Sequence, residues 1–213
     1  MHTVYLNNQQ YTAQNVNASL VVAFLSVILL LRYLLKSKGE GALAWQNILG
    51  RLALAGYAVL VAFLTLTFYR WPSFGTYIDV IKGYGGLGQY EFWRLSVFHP
   101  EGVAFSWYQM LANISLFIPL GLLAPLVLPK WRGIFKIIPK IFLTSLIIET
   151  IQGISTFFYL SNRLFDANDL VTNTTGGVIG YILYKFVVRY IRIEKQLFSQ
   201  GKHFKEKQDE SDF

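Results

Sequence analysis

Side chains able to do chemistry concentrate between Asn113 and Gly177, in a chain that is otherwise apolar. Glu149, Asp166 and Asp169 are the candidate catalytic groups, because a carboxylate can serve as a general base. The same three acids are candidate ligands for a hard divalent cation such as Mg²⁺ or Ca²⁺, which takes oxygen donors. Arg163 supplies a planar guanidinium suited to phosphate or carboxylate, and Asn113, Gln152 and Asn173 supply amides for substrate hydrogen bonds. The chain has no cysteine, which excludes thiol and disulfide chemistry. No Ser-His-Asp set and no metal-type His spacing occurs, and His2, His99 and His203 lie away from the cluster. The chemistry left is carboxylate work.

Each residue also has a plain structural role. Asp166 can cap a helix, with Asp169 three residues on as a first-turn acid favoured by the helix dipole. A carboxylate in hydrocarbon must find a partner or take up a proton, and Glu149 with Arg163 is the natural pair. The amides of Asn113, Gln152 and Asn173 can serve as hydrogen bonds between helices.

The elements that position these groups follow from hydropathy. With 54% hydrophobic and 15% charged residues in 213, the chain reads as an integral membrane protein. The expected fold is all-α, a polytopic bundle of about five spans at Ala18–Leu31, Leu52–Tyr69, Trp107–Leu128, Ile141–Leu160 and Leu170–Ile191. A polar arm (1–17) precedes one membrane domain (18–191), and a basic then acidic tail (192–213) follows it. The connection 70–106 is rich in aromatic rings, which favour the membrane interface, and reads as an interfacial or re-entrant lid. Its Gly85-Gly86-Leu87-Gly88 is a flexible turn rather than a phosphate loop, since no Lys-Ser/Thr follows. Pro119 predicts a kink in the third span, and Pro125 and Pro129 help to end it.

Fifteen of the nineteen Lys and Arg residues fall in the loops after spans one and three and in the tail. The positive-inside rule then places the N-terminus outside and the C-terminus in the cytoplasm. In that orientation Asn113, Glu149, Gln152, Arg163, Asp166, Asp169 and Asn173 all lie in or near the outer leaflet. Gly176 and Gly180 form a small-xxx-small pair that permits close helix approach.

At these residues the chain resembles the VanZ-like family of bacterial membrane proteins. The resemblance rests on three stretches, Asn113-Ile-Ser-Leu-Phe117-Ile-Pro119-Leu-Gly121, Glu149-Thr-Ile-Gln152, and Arg163-Leu-Phe-Asp166-Ala-Asn-Asp169 continuing through Asn173 to Gly176-Gly177. It covers roughly 108–184. What it implies is a multi-pass protein of a bacterial plasma membrane, similar to members that contribute to resistance against glycopeptides such as teicoplanin. It implies no reaction. Three function classes stay open: an enzyme acting on an amphiphilic envelope substrate such as a lipid-linked cell-wall precursor, a non-catalytic binder of membrane lipid or glycopeptide antibiotic, and a transporter. Transport ranks last, because the polar groups sit in one leaflet and no inverted repeat is evident. No nucleic-acid partner is expected, and the oligomeric state is open.

Overall fold

The computed structural model describes residues 2–6, 9–37, 45–95 and 107–211. Lys38, His99, Phe98, Phe105 and the end of the expected interfacial loop lie outside the described residues. The described chain contains six α-helices: α1 (Ser19–Ser37), α2 (Trp45–Thr65), α3 (Phe74–Gly83), α4 (Trp107–Val127), α5 (Ile134–Phe157) and α6 (Ala167–Ser211). Five are the expected long helices. The sixth, α3, is a short helix inside the expected lid, capped by the Ser73 hydroxyl, which accepts from the Thr76 N–H.

The fold is mostly helical but not wholly so, which corrects the all-α expectation. The polar arm forms two antiparallel strands, β1 (His2–Leu6) and β2 (Gln9–Asn17), and β2 pairs with β3 (Thr67–Arg70) at the end of α2. Burial alternates along β1 but not along β2, and the polar composition of the arm hides the strands that β1 and β2 form together and that dock on β3. Two further short segments, β4 (Trp93–Arg94) and β5 (Phe165–Asp166), pair in parallel.

Helix boundaries follow local chemistry. α4 runs through Pro119 and Pro125 and stops before Pro129, which opens a single 3-10 turn, Pro129–Trp131. α5 begins seven residues before the expected span, so Lys136 and Lys140 lie on the helix rather than in the loop. The Lys140 ammonium donates to the carbonyls of Lys130 and Lys136, tying that turn to the helix. α5 ends with paired reverse bonds, Leu160 N to Ser155 O at 2.7 Å and Tyr159 N to Thr156 O at 2.9 Å. This arrangement places Tyr159 in the left-handed region at φ 53°, where glycine is the usual occupant. Tyr159 is held there from outside: its ring stacks on Tyr84 at 4.7 Å, and its carbonyl accepts from the Trp71 indole at 3.1 Å.

In the bundle α6 packs closely on α4 and also on α5, while α2 packs on α4 and α1 on α2. The α4–α6 contact is backbone to backbone. A methyl group at Gly176 would collide with the Ile114 carbonyl, one at Gly180 with the Ile118 carbonyl, and one at Gly121 with the Gly177 carbonyl. The expected small-xxx-small pair thus meets α4, where glycine alone allows this approach. Phe117, Ile137, Ile141 and Tyr181 form the bundle core. A second, smaller core of Ala13, Tyr69, Trp71, Val80 and Tyr159 lies under a cap made by the arm, the segment after α2 and the α5–α6 connection.

Candidate functional site

The site begins with the start of α6. Asp166 is its N-cap, and its Oδ1 accepts from the Asn168 N–H at 2.8 Å. This is the plain role foreseen for Asp166, with Asp169 in the first helical turn. β5 sets the approach to that cap. Parallel pairing puts Arg94 beside Asp166, with one guanidinium nitrogen 3.6 Å from Asp166 Oδ2 and the other 3.5 Å from Glu91 Oε2.

Glu149 lies beneath this cap, 2% exposed, and its Oε2 accepts the backbone N–H of Asp166 at 3.1 Å. The α5 residue thus holds the first turn of α6 by accepting from an N–H donor that helix geometry leaves unfilled. Gln152, one turn on, donates to the Thr65 carbonyl at 2.8 Å and joins α5 to α2. Asn173 donates to the Ser145 hydroxyl at 2.9 Å and joins α6 to α5.

Asp169 is placed differently. It points toward α4, where Gln109 donates to both its oxygens at 3.2 and 3.3 Å. Asn113 faces the same carboxylate. Burial, and after it the Asp166 charge, push the Asp169 carboxyl up to about 6, against the opposing effects of Gln109 and Arg163.

Arg163 is exposed and makes no ion pair among the described residues, so the expected Glu149–Arg163 pair is absent. Its peptide carbonyl accepts from the Thr156 hydroxyl and its N–H donates to the Ser161 hydroxyl, which turns the side chain out. Its charge still acts on Asp169. Two residues were missed by sequence reasoning. Arg94 and Gln109 sit in or beside an aromatic-rich connection and carry no pattern that links them to α6.

The seven expected residues therefore fall in one region, but in layers. Glu149, Asp166, Gln152 and Asn173 are buried and bonded to the protein, whereas Asp169 and Arg163 are more open. Two buried polar atoms in this region have no hydrogen-bond partner among the described residues, Asn113 Nδ2 and Asn173 Oδ1. Among the described residues, no three carboxylate or imidazole groups are spaced to hold one metal ion.

The residues that carry this cluster also carry the family. The VanZ/LLP1 family model matches residues 54–189, more than half of the chain. The chain belongs to the VanZ/LLP1 family. The match begins in α2, so this VanZ/LLP1 unit takes in β3 and α3 as well as the 108–184 stretch of the sequence resemblance, and leaves out the strands of the arm. No curated protein and no solved structure matches the chain.

Proposed function

We propose that this VanZ/LLP1 protein is a five-span protein of a bacterial plasma membrane that binds an amphiphilic, phosphate-bearing envelope molecule at the outer leaflet. A lipid-linked cell-wall precursor is the substrate class. Two helical stretches, Ile48–Thr65 and Trp107–Val127, are long and apolar enough to cross a membrane, and most of each is not buried by protein. A soluble core helix would be buried. The arm, the segment after α2 and the α5–α6 connection share one cap, as five alternating spans require, since β2 pairs with β3 and the Tyr69 N–H donates to the Leu160 carbonyl at 2.7 Å. The skew of Lys and Arg to the other loops and the tail favours the outside for that cap.

The observation that carries the binding reading is the Asp169 carboxylate at the more open edge of the cluster, met by the Gln109 and Asn113 amides and acted on by the Arg163 charge. A polar substrate group reaching Asp169 would exchange with these amides, with Arg163 and Arg94 offering charge to a phosphate. A divalent cation belongs to the same proposal. Mg²⁺ commonly takes one or two carboxylates and completes its shell with substrate phosphate and water, so Asp166 and Asp169 would suffice. Modification of the substrate is the second reading, favoured by the raised Asp169 carboxyl, which is closer to neutrality as a general base should be. Glycopeptide protection, teicoplanin included, follows if the bound molecule is the antibiotic's target or the antibiotic itself.

The test is Asp169→Asn, which keeps the shape and one hydrogen-bonding oxygen. At equal membrane amounts it is expected to lose teicoplanin protection and retention of a lipid-linked precursor. Retention at the wild-type level would remove Asp169 from the site. Loss of binding on chelation, restored by Mg²⁺, would assign the cation, and indifference to chelation would dismiss it.

A further inference from the structure

At the end of the bundle away from the cap, α6 and the start of α5 enclose a groove of about 790 Å³. Four cations line it: Arg132, Lys185, Arg189 and Arg192. The last three are spaced four and three apart on α6 and so share one face. Apolar groups complete the wall, with Ile134 from α5 and Ile182 and Phe186 from α6. The groove is held in shape by the protein. The Tyr181 hydroxyl accepts the Gly133 N–H at 2.9 Å, and the Arg132 side chain donates to the Pro125 carbonyl at 3.0 Å. Every acid whose side chain is described lies elsewhere: Glu149, Asp166 and Asp169 in the cluster, Asp79 and Glu91 in the segment after α2. No described ion pair involves a groove cation.

We infer that this groove binds the headgroup of an anionic phospholipid from the cytoplasmic leaflet. Clustered cations with no acid among the described side chains beside them match a phosphodiester, and the apolar wall matches the first carbons of its acyl chains. Phe186 is 65% exposed and Ile182 47%, a surface that lipid tails would cover. Basic loops alone satisfy the positive-inside rule, but they need no apolar-walled groove. The inference rests on the membrane placement proposed above and not on the acid cluster.

The experiment uses the full chain purified in a non-ionic detergent, with phosphatidylglycerol and phosphatidylcholine as probes. Saturable retention of phosphatidylglycerol over phosphatidylcholine is expected. K185Q, R189Q and R192Q change exposed side chains and should each weaken it by roughly fivefold, and the triple variant on the order of a hundredfold. Asp169→Asn should leave it unchanged. Water-soluble glycerophosphate should fail to displace the lipid. Displacement would make this a soluble-phosphate site, and equal retention of both lipids or an unaffected triple variant would also overturn the inference. Fractionation of cells expressing the chain separates the two readings. A soluble chain sinks the membrane placement, while a membrane chain indifferent to phosphatidylglycerol sinks only the lipid site.

Discussion

Asp169 is the acid of the cluster whose charge the scaffold uses least. Asp166 is engaged as a helix cap and with Arg94, and Glu149 accepts the Asp166 N–H. The Asp169 carboxylate accepts from the Gln109 side chain and faces that of Asn113. Its carboxyl is raised from 3.8 to about 6, chiefly by burial. The folded state therefore binds more protons than the unfolded state between those values, and stability falls as pH rises through that window. Asp169→Asn abolishes this dependence. In detergent at pH 7 the variant should melt no lower than the wild type, while the melting temperature of the wild type should fall more than that of the variant between pH 4 and about 6. Substrate retention by the wild type should in turn decline below about pH 6 toward the level of the variant. A variant less stable at pH 7, with a melting temperature as steep in pH as that of the wild type, would show that the carboxylate is a scaffold group.

The pairing of α4 with α6 is the central joint of the bundle. It places Gln109 and Asn113 against Asp169, so the site depends on how closely the two helices approach. Gly121, Gly176 and Gly180 each stand against a backbone carbonyl, and backbone cannot step aside as a side chain can. Gly176→Ala or Gly180→Ala should force the helices apart and lower the melting temperature and the folded yield, even though alanine is the better helix former. Gly56→Ala on α2 is the control, since a methyl there meets nothing within 4 Å. It should be neutral or stabilise by up to about 1 kcal/mol. Equal tolerance at all three positions would mean that the α4–α6 joint is looser than its geometry.

For the whole molecule the decisive quantity is orientation. The cap joins parts of the chain that five spans would deliver to one side, and the groove cations lie at the other end. The absence of cysteine makes single introduced thiols clean reporters. Ser161 is a poor position, being buried and bonded to the Thr67 carbonyl. Its neighbour Asn162 is exposed. Asn162→Cys should react with an impermeant thiol reagent in intact cells, and Lys130→Cys only after lysis. The reverse pattern would move the acid cluster to the cytoplasmic side and withdraw an outer-leaflet substrate.

What could be read from the sequence was whatever depends on neighbours along the chain. Long apolar runs mark the five long helices because hydrocarbon or a helical core must cover every turn of them. Asp166 announces a helix start because capping is local, and Gly176 with Gly180 announces a close approach because four-residue spacing puts both on one face. The tertiary structure alone decided the partners. Arg94 rather than Arg163 meets Asp166, since a two-residue parallel pairing brings β4 to β5 while local hydroxyl bonds turn Arg163 outward. The two strands of the polar arm pair with each other, but the arm docks on the bundle because β3 supplies an edge with unpaired backbone groups, and nothing within the arm encodes that edge. Tyr159 adopts a glycine-like conformation for the same reason. The contacts that hold it come from Trp71, Tyr84 and Gly86, a distant segment that folding brings into reach.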